Sequence, residues 1–422
     1  MRTHNIRGLE LFSGAGGLAL GIAEHGVRHE ALVEWNKDAV ETLRYNFHPD
    51  IVHPVDIRNF DFNAYGHVDI IAGGPPCQPF SIGGKHKGNI DQRDMFPFAC
   101  QAIAHCTPSA FIFENVKGLL RKSFISYFEY IILRLTYPEV DMKNSESWEN
   151  HLRRLEKVHT SQKFNGVKYN VLYRLVDAAD YGIPQRRERV VIVGIRDDLN
   201  IEWSFPQQTH SLQTLLWSQF VKKEYWERHE CTPPELSCYD NRTALAIKKI
   251  QRQPQIFAPI TKPWKTVRDQ LGSLPHPDEK GTYHSEHIFR KGARIYPGHT
   301  GSFIDFPSKT IKAGGHGVPG GENMLRYTDG SVRYYTTYEA KLLQTFPEQY
   351  RITGSWSESM RQIGNAVPVE LASIIAGSLI KKIWGKKRAN KKSRPCINFQ
   401  ERARAENKIS CAMHYPLSLH SG

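Results

Sequence analysis

Gly8-Leu9-Glu10-Leu11-Phe12-Ser13-Gly14-Ala15-Gly16-Gly17 lies almost at the N-terminus and changes character half-way. The first half is a short apolar run of strand type. The second half is a glycine-rich turn that opens a helix over about 17–25. Glycines at such a turn let the backbone approach a ligand closely at a helix N-terminus. Taken alone the turn is shared by many nucleotide folds. Glu34 ends the next apolar run, 18 residues after Gly16, where a carboxylate can accept hydrogen bonds from ribose hydroxyls. Asp56 ends the third run and can meet an adenine amino group. Together these residues point to an adenosine-containing cofactor; the plainer alternative is a cluster of turn glycines beside two solvated acids.

Outward from this turn the chain alternates. Apolar runs at 8–12, 30–35, 51–55, 68–72 and 110–116 read as strands, and periodic segments at about 17–25, 37–47, 95–106 and 123–136 as helices. Lys143–Asn165 is a polar stretch that reads as an insertion. Two further strands, 169–177 and 188–195, flank Tyr181-Gly182-Ile183-Pro184. The alternation predicts an α/β fold with an open, mostly parallel sheet, helices on both faces and a ligand at the carboxyl ends of the strands. The pattern stops near Phe205-Pro206. From there to about Arg333 the chain reads as irregular, with a loop from Lys309 to Gly321 that is rich in glycine and flanked by lysines. Helical periodicity returns at 337–345 and 366–382, so a second domain is expected to be inserted before a returning C-terminal helix.

Composition is that of an ordinary globular protein, 40% hydrophobic and 23% charged over 422 residues. Seven scattered cysteines form no disulfide framework and suggest a reducing compartment. No secretory signal opens the chain, and the apolar helix Ala366–Ile380 contains Glu370 and is too short to span a bilayer. The expectation is a soluble, cytoplasmic protein without a membrane. From Lys381 onward eleven Lys or Arg stand against two Glu, so the tail holds +9 of the +13 net charge. Such a tail is usually solvated and disordered. It adds phosphate attraction without identifying a partner.

Four constellations carry chemistry. Gly74-Pro75-Pro76-Cys77-Gln78-Pro79 follows the strand at 68–72, and its prolines fix the chain on both sides of a thiol. A soft sulfur nucleophile presented at a sheet end suits conjugate addition to an electron-poor pyrimidine; a small buried cysteine is the other reading. Glu114 ends the run Ala110-Phe111-Ile112-Phe113 and is placed to be partly desolvated, which raises a carboxyl pKa and lets it hold or donate a proton. Otherwise it caps a turn. In Gln185-Arg186-Arg187-Glu188-Arg189, alternation puts Arg187 and Arg189 on one face, suited to a carbonyl oxygen or phosphates, or to a surface ion-pair cluster. Gly364-Asn365-Ala366-Val367-Pro368 reads as the opening of the last helix, able to close the cofactor site.

In this order the pieces resemble the DNA (cytosine-5) methyltransferase family, of the bacterial restriction-modification type. Phe12–Gly17 resembles its first motif, Gly74–Ser81 its Pro-Cys motif, and Glu114-Asn115-Val116 its Glu-Asn-Val motif. Gln185–Arg189 resembles its Gln-x-Arg-x-Arg motif, Arg333–Tyr350 its ninth motif and Gly364–Val367 its last. The match covers roughly 8–200 and 333–382. The resemblance implies a Rossmann-like fold that uses S-adenosylmethionine, held by Phe12, Ser13, Gly14, Ala15, Gly16, Gly17, Glu34, Trp35, Asp56, Ile57, Pro75, Asn365 and Ala366. It implies catalysis by Cys77, Glu114, Arg187 and Arg189, with Cys77 adding to C6 of a cytosine flipped out of duplex DNA. Arg189 would contact O2, while Arg187 would hold a loop or a phosphate. DNA contacts fall on Gln78, Ser81, Lys85, Lys309, Thr310, Lys312 and His316.

The implied organisation is a catalytic domain over 1–205, target recognition over 206–332, a return to the catalytic domain over 333–385, and a basic tail over 386–422. A monomer is expected, paired in function with a restriction endonuclease that need not bind it. The same chemistry on tRNA is the alternative. A DNA-binding regulator without catalysis would not need Cys77, Glu114 and Arg189 together, and a folate-dependent pyrimidine methylase would not need the glycine turn with Glu34. Cys231, Cys238, His284 and His287 have no familiar zinc spacing, so no metal is expected. The target sequence is not legible.

Overall fold

The computed structural model describes residues 5–76, 94–161, 163–252, 258–279, 284–297, 299–313 and 323–385. Seven strands form its main sheet: β1 (Ile6–Leu11), β2 (Val27–Glu34), β3 (Val52–Pro54), β4 (Ile70–Gly73), β5 (Ala110–Val116), β6 (Tyr169–Asp177) and β7 (Glu188–Arg196). Their spatial order is β3-β2-β1-β4-β5-β7-β6, with β7 antiparallel to both of its neighbours and the other pairings parallel. The crossovers run through helices α1 (Gly17–Ala23), α2 (Lys37–Asn46), α3 (Phe96–Cys106) and α4 (Ile125–Thr136). Both faces of the sheet are covered, as near-continuous apolar strands require.

The pleat explains the layering. Along β5, Phe111 and Phe113 enter a core with Ile103 of α3 and Phe128 of α4, while Ala110 and Ile112 enter the opposite core. That second core holds Leu18 and Ile22 of α1 against Leu371, Ile375 and Leu379 of the last helix. Each such apolar side chain contributes about 2 kcal/mol by leaving water. Beneath α1 two buried polar side chains grip one residue: Glu10 accepts from the Ala19 N–H at 2.9 Å, and His29 Nε2 lies 2.9 Å from the Ala19 carbonyl. Burial pulls the His29 pKa down to about 4 and pushes that of Glu10 well up.

Three expectations need correction. The polar insertion at 143–165 contains helix α5 (Trp148–Ser161), whose Leu155 and Trp148 pack with Tyr130 and Tyr137. Its hydrophobic stripe is narrow, so polar residues dominate its reading. The stretch after Pro206 is not simply irregular. It forms α6 (Leu212–Phe220), α7 (Glu224–Arg228), α8 (Asn241–Gln251) and α9 (Val267–Leu271), with the short paired strands β8 (His210–Ser211) and β9 (Lys262–Pro263). Leu215, Tyr225, Trp226 and Trp264 form one small core there, and Leu216, Trp217, Ile247 and Ile250 another. A three-stranded sheet of β10 (Ser302–Phe303), β11 (Met324–Arg326) and β12 (Val332–Tyr334) leads back to α10 (Thr337–Leu343).

The third correction concerns Gly364-Asn365. These residues end helix α11 (Trp356–Asn365) and do not open the last helix; α12 (Val369–Trp384) begins after Pro368. Proline suits a helix start because the missing N–H has no partner there in any case. Trp356–Trp384 is long and apolar enough to cross a membrane by composition, but it is these two helices, and two thirds of its most apolar window is buried.

Candidate active site

A cleft of about 670 Å³ opens along the carboxyl ends of β1, β2, β4 and β5. The β1–α1 turn forms one wall. Phe12 and Gly14 have φ of 57° and 53°, and Gly16, which caps α1, has 78°. A Cβ on Gly17 would stand 2.3 Å from the Val367 carbonyl, so only glycine lets α1 approach the α11–α12 junction this closely. The Ser13 N–H donates to the Val33 carbonyl at 3.0 Å and fastens the turn to β2.

Glu34 sits at the β2 end with its carboxylate already oriented. Oε2 accepts from the Gly14 N–H at 2.8 Å, and Oε1 accepts from the Trp35 and Asn36 N–H groups at 3.0 and 2.8 Å. Burial raises its pKa, while those three donors and the charge of Arg361 oppose the shift. Trp35 is 72% exposed beside it, a flat apolar surface at the cleft rim. Asp56 and Ile57 line the same end, with both Asp56 oxygens held by Arg58 at 2.9 and 2.7 Å, a pairing that lowers the Asp56 pKa.

At the other end Gly74, Pro75 and Pro76 leave β4 beside Glu114 and Asn115. Asn115 donates from Nδ2 to the Pro75 carbonyl at 2.9 Å and fixes the proline turn against β5. Glu114 is 9% exposed, and Arg189 Nε stands 2.7 Å from its Oε1. The contact is an ion pair without hydrogen-bond alignment, so this buried oxygen accepts no hydrogen bond. The register Asn115↔Val190 and Val116↔Arg189 between antiparallel strands brings the two residues together. Their arrangement offers a cation and an acceptor side by side, facing a cavity.

Arg187 is placed differently. It is fully buried, does not line the cleft, and donates to the carbonyls of Ile311 at 3.3 Å and Gly364 at 2.9 Å. It ties the strand that bears Arg189 to the loop at Ile311 and to α11, and makes no contact with solvent where a phosphate would lie. Phe12, Ser13, Gly14, Gly17, Asn365 and Ala366 line the cleft, whereas Ala15 and Gly16 lie behind it. Thr310 donates its hydroxyl to the Arg186 carbonyl at 2.7 Å, Lys309 donates to Thr300 at 2.8 Å, and Lys312 is exposed. Cys77, Gln78, Ser81, Lys85 and His316 lie outside the described residues. So does the tail from 386. The cleft also takes in Glu10, Arg58, Arg361 and Gln362. Arg361 belongs to α11, whose start is signalled in the sequence by Ser355 with Glu358 three residues on.

The profile described as C-5 cytosine-specific DNA methylase matches residues 6–137 and 140–381. The chain belongs to this family. It is a DNA (cytosine-5) methyltransferase with S-adenosylmethionine as its methyl donor. Among similar proteins, the Type II methyltransferase M.NgoMIV of Neisseria gonorrhoeae is 34% identical over 88% of this chain and 96% of its own length. The Type II methyltransferase M.AplI of Arthrospira platensis is 29% identical over 93% and 89%. A DNA modification methyltransferase encoded within an Escherichia coli prophage shares the fold, with a TM-score of 0.54 at 19% identity over 90% of this chain and 99% of that one. The cleft suits the cofactor in size and in its polar ends. Glu34 has an oriented carboxylate beside an exposed indole, and Gly14 would meet nothing within 4 Å if it carried a Cβ.

Proposed function

We propose that this methyltransferase acts by covalent catalysis through Cys77 on a cytosine flipped out of a short duplex DNA sequence. The observation that carries the reading is the buried Glu114–Arg189 ion pair, which faces the cleft one strand away from Pro76. Phe12, Gly14, Glu34, Trp35, Asp56, Ile57, Pro75, Asn365 and Ala366 would hold the cofactor. S-adenosylmethionine, when bound, supplies an electrophilic methyl group.

The Cys77 thiolate adds to C6, and the C5=C6 π electrons move so that C5 becomes nucleophilic. Glu114 engages the N3/N4 edge and stabilises a proton at N3, while Arg189 faces O2. The two side chains thus read one edge of the base and lower the cost of the charge that develops on addition. After the methyl group has reached C5, a water removes the C5 proton and the electron pair re-forms C5=C6 as the Cys77 sulfur leaves. C6 cannot be reached from above the ring inside a stacked duplex, so the base must leave the helix.

Residues 206–332 read the target, with Lys309, Thr310 and Lys312 as candidate contacts; residues 1–205 and 333–385 form the catalytic body. Arg187 is a tie between these parts. The chain would be the protective partner of a restriction endonuclease that need not bind it, a reading supported by its likeness to Type II methyltransferases. It acts as a cytoplasmic monomer. Cys77→Ser should abolish methyl transfer to duplex DNA while leaving S-adenosylhomocysteine binding within about twofold. Substantial residual transfer would exclude the covalent route, and transfer to tRNA in preference to duplex DNA would move the protein to an RNA substrate.

A further inference from the structure

The Ala15–Gly16 peptide unit lies behind the cofactor cleft, and it is held from both sides. The Gly16 N–H donates to the Ser13 carbonyl at 2.8 Å, and the Ala15 carbonyl accepts from the Tyr350 hydroxyl at 2.6 Å. Tyr350 is fully buried and reaches this turn across 335 residues of sequence. A Cβ on Gly16 would come within 2.7 Å of that hydroxyl, so the tyrosine fills the space behind the glycine.

Tyr350 is itself anchored. Phe346 and Phe47 pack on its ring at centroid distances of 4.9 and 6.4 Å. The fully buried Lys341 donates to the Tyr350 carbonyl at 2.8 Å and the Glu348 carbonyl at 2.9 Å, and pairs with Glu286. Glu286 in turn accepts from the Ile352 N–H at 2.9 Å.

We propose that Tyr350 is a positioning residue for the cofactor: its hydroxyl fixes the Ala15–Gly16 peptide, and so presets the turn whose other face meets S-adenosylmethionine. An intramolecular hydrogen bond of this kind changes an equilibrium by about fivefold. Its loss leaves the turn to be ordered when the ligand binds.

The test is Tyr350→Phe in the full chain, with S-adenosylhomocysteine as probe in titration calorimetry. The expected result is a dissociation constant raised about fivefold, with kcat at saturating donor and KM for DNA each within about twofold of wild type. Amide exchange over residues 14–17 should quicken in the free variant while α12 keeps its protection. An unchanged dissociation constant would overturn the inference. So would parallel loss of kcat, DNA binding and α12 protection, because a merely structural tyrosine would give that pattern. Absence of probe binding by the wild-type chain would instead count against the cofactor cleft itself.

Discussion

Glu114→Gln keeps the shape of the side chain and removes its charge, which makes it a selective perturbation of the proposed chemistry. In the structure one oxygen of this carboxylate is ion-paired with Arg189 Nε at 2.7 Å and accepts no aligned hydrogen bond, so the carboxylate keeps capacity to accept from the base. The amide can still accept one hydrogen bond but cannot stabilise a proton at N3 as a carboxylate does. Hydrogen bonds to a charged partner are worth about 1.5–3 kcal/mol. If that interaction is made fully only in the transition state, kcat falls by about 10- to 150-fold. DNA affinity should stay within about threefold, since few of the duplex contacts involve this residue. Single-turnover transfer of labelled methyl groups gives the rate, and gel shift of the same duplex gives the affinity. A rate within about threefold of wild type, or equal losses of rate and affinity, would refute the assignment.

Two further predictions concern stability. Arg333 meets both oxygens of the almost fully buried Glu339, which also accepts from the Thr336 N–H at 2.9 Å at the start of α10. Arg333→Met strands that carboxylate and should cost about 3–5 kcal/mol in urea unfolding; a loss under about 1 kcal/mol would show that the pair is dispensable. His29 is buried with its pKa lowered from 6.5 to about 4, so the unfolded chain binds a proton more readily over this range. Stability contributed at neutral pH is therefore lost as pH falls from 6.5 through 4, by about 3 kcal/mol. Glu10 next to it has the opposite sign, its contribution being lost as pH rises from 4.5. Urea midpoints of wild type and His29→Gln across this range isolate the histidine; identical pH profiles would exclude it.

The sheet was legible because its central strands are buried on both faces, so runs such as Ala110–Phe113 stand out from polar surroundings, whereas the edge strand β6 is largely exposed. The Glu34 end of the cleft was legible for a local reason: a turn of glycines and a strand-end carboxylate lie close together in sequence. Other parts depend on contacts that no local pattern records. Helix α11 carries a local signal, Ser355 capping it with Glu358 three residues on, but its ten residues hold few apolar side chains, so a reading by apolar runs passes over it. The burial of Arg187 follows from Ile311 and Gly364, 124 and 177 residues away. In the region after Pro206, large aromatic side chains form small cores under short helices. Helices α7 and α9 are too short for periodicity to register, and the longer α8 buries only Ile247 and Ile250.

The measurement that bears most directly on the central claim uses duplex DNA containing 5-fluorocytosine. Fluorine at C5 cannot leave as a cation, so the adduct should persist once methyl transfer has occurred. Incubation with labelled S-adenosylmethionine should yield a denaturation-resistant protein–DNA complex, and peptide mapping should place the bond on Cys77. Methylation of unmodified DNA without an adduct on the fluorinated duplex, or an adduct on any other residue, would contradict the account.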